Sequence, residues 1–308
     1  MEGQSVDRRR RQRLIRLIAL SIAAAIATIT LKVFAWLVTD SVGLLSDAAE
    51  SVVNLVAALI ALSVILWSTR PPDEEHAYGH EKADYLSAGF EGALILAAAV
   101  TIAWAAIDRL LNPAGLTDVG FGLGMSVVAS LINLGVARML IKAGDEEDSL
   151  TLVADGHHLM ADVWTSAGVV AGVALAWLTG WGPLDSIVAL LVAAQIVRTG
   201  QSLVRESMGG LMDRALPGEE RQAIEAVLAA RATGAVQFHA LRTRKAGRRS
   251  FISVHVLVPG DWTVQKGHDF VESVESELRA AVYNATVFTH LEPVEDPASF
   301  ADTGLDRV

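Results

Sequence analysis

Six apolar segments, each long enough to cross a lipid bilayer, constrain this chain more than any other feature of its sequence. A membrane-spanning helix needs about 20 mostly apolar residues. The segments are 14–38, 41–67, 84–111, 119–143, 151–178 and 183–205. Hydrophobic residues make up 52% of the chain and the mean hydropathy is +0.40, values that are unusual for a soluble domain. We therefore expect an α-helical membrane protein with six transmembrane helices.

The distribution of Lys and Arg predicts the orientation of these helices, because cytoplasmic loops are enriched in basic residues. The basic residues at one set of helix ends are Arg8 to Arg16, Arg70, Lys82, Arg138, Lys142, Arg198 and Arg205. The opposite set carries Arg109. We expect both termini in the cytoplasm and the protein in a bacterial inner membrane, in contact with lipid. The basic run at 8–16 fits a membrane-flanking position, and the net charge of −10 argues against nucleic-acid binding.

After residue 207 the pattern changes from long apolar runs to short amphipathic elements. A helix over 216–232 precedes two alternating strands within 236–258, a second helix over 263–282 and a third strand over 285–293. The order αββαβ predicts a small α+β domain of the ferredoxin-like or metallochaperone-like type. The predicted divisions are a basic cytoplasmic N-terminus at 1–13, a transmembrane domain at 14–207, a cytoplasmic domain at 208–295 and a disordered tail at 296–308.

The chain contains eight histidines and no cysteine. The histidines lie at positions 76, 80, 157, 158, 239, 255, 268 and 290. Without cysteine there are no disulfides and no thiolate metal sites, which argues against a copper(I) protein. Histidine is the commonest nitrogen ligand for borderline metals such as zinc. The histidines occur beside carboxylates, and this clustering favours metal binding over isolated structural roles.

The fifth apolar segment begins with ADGHHLMADV, which places ionisable residues in a membrane span. His158 and Asp162 are four residues apart, so both lie on one face of a helix. His157 points about 100° away and is expected to be interfacial. Asp155 is expected to cap the start of the helix. An ionisable side chain at membrane depth costs several kcal/mol, so His158 and Asp162 are candidate ligands of an ion.

The second apolar segment offers a matching polar face. Glu50 and Asn54 are again four residues apart, and Asp47 lies on the same side. Together the two segments predict an ion site formed by Glu50, Asn54, His158 and Asp162. The alternative is a pair of helices joined by polar contacts. Carboxylates are poorly suited to that role because they need protons or partners, so we favour the ion site.

The polar link between the second and third segments contains DEEHAYGHEK. Asp73, His76 and His80 are placed to hold a second ion at the membrane surface. A solvated acidic loop explains the same residues, and their spacing alone leaves both alternatives open.

With these residues identified, the chain resembles the cation diffusion facilitator family over about residues 13–295. SVGLLSDAAESVVN is similar to the family's second span, and HAYGHEKADYL is similar to its HxxGHxKxE stretch. HHLMADV resembles the HxxxD start of span five, and LMDRALP resembles the end of span six. The combination is highly specific, whereas each motif alone is not.

The resemblance implies a homodimeric secondary transporter, not an enzyme, that exports zinc or related divalent ions from the cytoplasm in exchange for protons. It implies a transport site at Glu50, Asn54, His158 and Asp162 and a loop site at Asp73, His76 and His80. It also implies a dinuclear site in a dimerising, metal-binding cytoplasmic domain. The matching positions there are His239, His255, His268, His290 and Glu292. Lys82 and Asp213 match a pair that links spans three and six at the dimer hinge.

The chain departs from the family pattern in span two, where zinc members carry Asp or His followed by Asp. Glu50 and Asn54 stand at those positions, so the site has one neutral oxygen donor in place of a carboxylate. Nitrogen and oxygen ligands suit Zn²⁺ best and also admit Cd²⁺ or Co²⁺. The departure leaves an Fe²⁺ or Mn²⁺ exporter as the alternative. His158 is the residue expected to exchange protons, since its ordinary pKa lies near 6.5.

Other classes of function fit the sequence less well. A membrane zinc hydrolase would use His158 and Asp162 to hold a catalytic ion, but the sequence has neither an HExxH motif nor a nucleophile motif. A metal sensor that does not transport would not need ligands inside the membrane. A passive channel would need no proton exchange.

Overall fold

The computed structural model describes residues 2–39, 42–112, 119–179, 181 and 183–301. Within these ranges the chain divides into two compact units, Met1–Met208 and Gly209–Val308. The first unit contains six long helices in its described part. They are α1 (Glu2–Thr39), α2 (Val42–Ser68), α3 (Ala83–Leu111), α4 (Val119–Glu147), α5 (Leu150–Thr179) and α6 (Pro183–Leu211).

Several of these helices have the length and apolar composition of membrane spans. In the described part of the chain, four stretches meet both conditions: Arg9–Phe34, Ala83–Asp108, Val127–Glu147 and Ser186–Leu211. Leu55–Ser68 of α2 is a shorter apolar helix. A helix satisfies all its backbone hydrogen bonds internally, which is why long apolar sequences adopt this structure in lipid.

Two groups of buried apolar side chains hold the helices together, and α5 contributes to both. One group joins α1, α2, α4 and α5, with Leu159 as a member from α5. The other joins α3, α5 and α6, with Ala154 and Ala161 from α5. Because α5 contributes to both groups, its polar residues Asp155, His158 and Asp162 are buried among the helices.

Ion pairs link the start of α1 to the end of α4. The Arg13 guanidinium donates to Glu147 at 2.7 Å and to Glu146 at 2.6 Å, and Arg10 lies 3.5 Å from the Glu147 carboxylate. These contacts place the first turns of α1 and the last turn of α4 at the same end of the helices. The helix α1 begins at Glu2, well before the apolar segment, and it includes most of the basic N-terminus.

The second unit has the predicted order of elements. It contains α7 (Gly218–Arg231), β1 (Gln237–Ala246), β2 (Arg249–Val258), α8 (Val264–Ala281) and β3 (Ala285–Pro293). The sheet order is β1-β2-β3, with β1 antiparallel and β3 parallel to β2. Six apolar helices followed by an αββαβ domain confirm the predicted fold class.

Both helices of the second unit cover one face of its sheet. Ile252, Val254, Val274 and Leu278 are fully buried members of one apolar cluster, which α7 and α8 complete. Side chains alternate between the two faces of a strand. Residues 253 and 255 of β2 therefore point to the opposite, open face.

The beginning of the tail after residue 295 differs from the sequence-based expectation. Disorder was expected over 296–308, but Pro297–Phe300 form a turn of 3₁₀ helix that Asp296 caps by accepting from the Ala298 N–H. Ser299 is buried and donates to the Pro293 carbonyl at 2.8 Å. The Phe300 ring packs edge-on against His239, with 5.9 Å between ring centroids. These contacts order the segment; residues 302–308 lie outside the described range.

Candidate metal sites

The polar pair of α5 is buried inside the helical unit. His158 is 4% exposed and Asp162 is 8% exposed. The two residues are one helical turn apart, as their spacing predicts. The Asp162 carboxylate accepts from the Asn133 side-chain amide of α4 at 3.4 Å. An imidazole and a carboxylate are thus buried together within the helical unit, one turn apart on the same helix.

The other half of the predicted transport site lies on α2, which packs directly against α5. The two helices that carry the predicted ligands are therefore neighbours. The side chains of Glu50 and Asn54 lie outside the described part of the structure, so their distances to His158 and Asp162 stay predictions.

A polar stripe on α5 extends further than the sequence analysis indicated. Asp155 is completely buried, and it lies in the second turn of a helix that begins at Leu150, so it is not the expected cap. Across from it on α3, Glu91 is also completely buried and accepts from Ser87 at 3.1 Å. The carboxylates of Glu91 and Asp155 interact electrostatically. Glu91 was missed, although an ionisable residue in an apolar span is itself a signal of function.

The link between α2 and α3 brings Asp73, His76 and His80 together. Their candidate ligand atoms all lie within 4.8 Å of one another. His80 Nε2 lies 3.2 Å from Asp73 Oδ2, and the two imidazole rings are 4.4 Å apart. Gly79 has φ of 91°, a left-handed conformation that glycine adopts readily, and its N–H donates to the His76 carbonyl at 2.8 Å. This turn directs both histidines toward the same carboxylate.

Hydrogen bonds prepare the Asp73 carboxylate to bind a cation. The His76 backbone N–H donates to Asp73 Oδ1 at 2.7 Å, and this bond lowers the pKa of Asp73 below its ordinary value. Asp73 and His76 are exposed, while His80 is buried. The indole of Trp67, in the last turn of α2, lies 6.2 Å from the His76 ring and 6.1 Å from the His80 ring. A cation at this cluster would sit beside the end of α2.

The third cluster is built by strand register in the second unit. His239 of β1 pairs with His255 of β2, and His255 pairs with His290 of β3. Directly paired residues place their side chains on the same face of a sheet. Glu292 lies two residues after His290 and shares that face. The open face of the sheet therefore carries three imidazoles in a row beside one carboxylate.

Glu292 is the centre of this cluster. Its Oε2 lies 3.1 Å from His239 Nε2 and 3.1 Å from His255 Nδ1, while its Oε1 lies 3.4 Å from His290 Nε2. The Glu292 side chain is 7% exposed and that of His290 is 57% exposed. The arrangement can offer oxygen and nitrogen ligands to a cation on each side of the carboxylate.

The structure places the remaining predicted residues apart from these clusters. His268 lies on α8, which covers the opposite face of the sheet, so a single chain does not bring it to the other three histidines among the described residues. Lys82 precedes the first turn of α3 in the helical unit. Asp213 lies in the second unit, where its carboxylate accepts from Arg244 at 3.3 Å.

Comparison with known families agrees with this architecture. The transmembrane domain of cation efflux proteins matches residues 18–212, and the family's cytoplasmic domain, which is its dimerisation domain, matches residues 216–294. The chain belongs to the cation efflux family, also called cation diffusion facilitators. It is a cation efflux transporter, and the predicted family is confirmed.

Individual relatives cover most of the chain. An uncharacterized transporter of Synechocystis is 48% identical over 281 residues, which span 91% of each chain. The cation-efflux pump FieF of Shewanella oneidensis is 30% identical over 275 residues, 89% of this chain and 92% of the relative. Among solved structures, the zinc form of the zinc transporter CzrB is 38% identical, with a TM-score of 0.26, over 27% of this chain and 96% of that one.

Proposed function

We propose that this protein exports divalent metal ions from the cytoplasm, zinc first among them, in exchange for protons. The observation that carries the proposal is the burial of His158 and Asp162 on one face of α5, the helix shared by both apolar clusters. Enclosing an imidazole and a carboxylate in a membrane span is costly unless a cation binds there. The proposed transport site adds Glu50 and Asn54 of the neighbouring α2.

The proposed ligands favour zinc. One imidazole and oxygen donors suit the tetrahedral geometry of Zn²⁺, and Cd²⁺ or Co²⁺ fit the same set. Glu50 and Asn54 support the second candidate, an exporter of Fe²⁺ or Mn²⁺, because neutral and anionic oxygen donors suit these harder ions.

Proton exchange follows from the chemistry of the ligands. Imidazole and carboxylates bind a metal only after they lose their protons, so metal release is coupled to proton uptake. Asp155 and Glu91 extend the polar stripe from the transport site toward the start of α5, and this supports a path between the site and the cytoplasm. Rocking of one helix group against the other around α5 would expose the site alternately to each side.

The two other clusters are proposed metal sites of different kinds. Asp73, His76 and His80 would hold an ion at the membrane surface. His239, His255, His290 and Glu292 would hold ions in the cytoplasmic domain of a homodimer, with His268 as a further proposed ligand. Occupation of the cytoplasmic cluster would report cytoplasmic metal, and Lys82 with Asp213 would link spans three and six at the dimer hinge.

The direct test is zinc flux into sealed proteoliposomes, measured with an enclosed zinc-sensitive dye and an imposed pH gradient. Asp162→Ala is expected to reduce flux to background, because the cation loses a buried carboxylate. Its helicity and its metal binding by the cytoplasmic domain should remain. Flux at the parent rate in this variant would show that the cation takes another path. Repeating the assay with Mn²⁺ and Fe²⁺ separates the two candidate substrates.

A further inference from the structure

The α4 residue Asn133 is buried beside the proposed transport site. It is 3% exposed, and its Nδ2 lies 3.4 Å from Asp162 Oδ2. An amide that donates to a carboxylate limits the orientations which that carboxylate adopts. Asn133 is therefore in contact with a proposed metal ligand, although α4 contributed no residue to the predicted site.

Close packing of α4 against α5 fixes this position. A Cβ at Gly156 of α5 would lie 2.7 Å from the Ile141 side chain and 3.0 Å from the Ala137 carbonyl of α4. The backbones of the two helices therefore touch at this level. Asn133 is about one turn from Ala137 along α4, and the antiparallel course of α5 brings Asp162 to the same level. The contact between Asn133 and Asp162 follows from helix packing and not from a chance rotamer.

The other end of the amide has no hydrogen-bond partner in the part of the chain that the structure describes. Asn133 Oδ1 is buried and accepts no hydrogen bond from any described atom. A side-chain amide has two donor hydrogens and an acceptor oxygen, and buried acceptors in folded proteins are nearly always satisfied. An unsatisfied buried acceptor on the same amide that contacts the Asp162 carboxylate is placed to serve as a further oxygen ligand for a cation.

We propose that Asn133 is a further residue of the transport site, with two roles. Its N–H positions the Asp162 carboxylate, and its Oδ1 is a neutral oxygen ligand for the divalent cation. The inference rests on the proposed function of His158 and Asp162 and extends the site to a third helix. Amide oxygen suits harder cations such as Mn²⁺ better than it suits Zn²⁺. Asn133 therefore influences which ions are carried.

The test compares the KM for Zn²⁺ and for Mn²⁺ in proteoliposomes containing the full chain. Asn133→Leu keeps the approximate volume but removes donor and acceptor. We expect its KM for Zn²⁺ to rise about tenfold, in the range found for groups that support a metal ligand. The KM for Mn²⁺ should rise by a larger factor. Asn133→Asp, which keeps an oxygen ligand, should recover most of the loss. Asn133→Ala replaces the leucine variant if that variant does not fold.

A matched control is Thr151→Val, which removes a buried hydroxyl from α5 about 16 Å along the helix from Asp162. It should keep the parent KM for both ions. An unchanged KM in Asn133→Leu would overturn the inference. An equal rise for both ions would overturn the ligand role of Oδ1. Asp162→Ala is measured in parallel to test the transport site itself. If Asp162→Ala transports at the parent rate, the proposed site is wrong, whatever the result for Asn133.

Discussion

The polar pair of α5 and the histidine cluster of the second unit offer similar ligands, but different parts of the fold assemble them. His158 and Asp162 are neighbours because one helix repeats every 3.6 residues. His239, His255 and His290 are neighbours because three strands pair in one particular register. The first arrangement is enclosed between membrane helices, and the second lies on an open sheet face. In the proposed function, the enclosed pair therefore serves transport across the membrane, whereas the cluster on the sheet face serves binding of cytoplasmic metal.

Because of this difference, we expect substitutions in the sheet cluster to change zinc affinity and substitutions in the α5 pair to change flux. The largest effect is expected from Glu292→Gln, because Glu292 contacts all three histidines of the sheet. The zinc affinity of this cluster should fall by more than about 100-fold, beyond the range for a supporting residue. Flux at saturating zinc should persist, because α5 is unchanged. Isothermal titration calorimetry and flux on the same protein check both statements.

The matched control for this prediction is Glu295→Gln. Glu295 is exposed and accepts from the Gly260 backbone N–H at 2.9 Å, away from the histidines. Its zinc affinity should equal that of the parent. If Glu292→Gln abolished flux at every zinc concentration, the sheet cluster would be required for transport. That result would contradict the proposal that one cluster transports and the other reports cytoplasmic metal.

A smaller effect is expected at the cluster in the link between α2 and α3. Its histidines and carboxylate resemble the ligands of the sheet cluster, but they come from one short segment, as the pair of α5 does. Zinc at Asp73, His76 and His80 should change the fluorescence of Trp67, since both imidazole rings lie close to its indole. His80→Ala should abolish this change. Trp67→Phe identifies the signal among the seven tryptophans of the chain. If the zinc-dependent signal remains in His80→Ala and is lost only in Trp67→Phe, the ion binds near α2 but at another site.

The smallest effect is expected at Glu277, a carboxylate of the second unit that accepts a hydrogen bond from Arg231. Arg231 lowers the pKa of Glu277 through a side-chain hydrogen bond. A lowered pKa stabilises the fold above the ordinary value of 4.5, and this contribution disappears as the pH falls through the lowered value. Glu277→Gln should therefore melt slightly earlier than the parent at about pH 7, and this difference should shrink as the pH falls below 4.5. Calorimetry of the full chain tests this, and zinc affinity should not change. A melting difference that persists in acid would contradict the ion-pair explanation.

Much of this architecture could be predicted from the sequence, because apolar length and periodicity determine helices and strands locally. The αββαβ order and the pairing of His158 with Asp162 on one face are of this kind. The alignment of His239 with His255 depends on a β-bulge after His239, where Ala240 has φ of 50°. No spacing rule predicts such an irregularity in register.

Contacts between distant segments account for what the sequence did not predict. Phe300 orders the start of the tail by packing on His239, and Asn133 reaches Asp162 through the packing of α4 on α5. Neither contact has a periodic signal. Glu91 did have a signal, as a charged residue inside an apolar segment, but only the structure shows that it is buried near Asp155.

The central claim is that a divalent cation is held between the membrane helices by α5. X-ray absorption at the zinc edge tests it most directly, on a variant in which His80→Ala and Glu292→Gln disable both other clusters. We expect this variant to retain zinc bound by nitrogen and oxygen, with an imidazole contribution that disappears when His158→Ala is added. A variant that retains no zinc, or retains it unchanged after His158→Ala, would contradict the account.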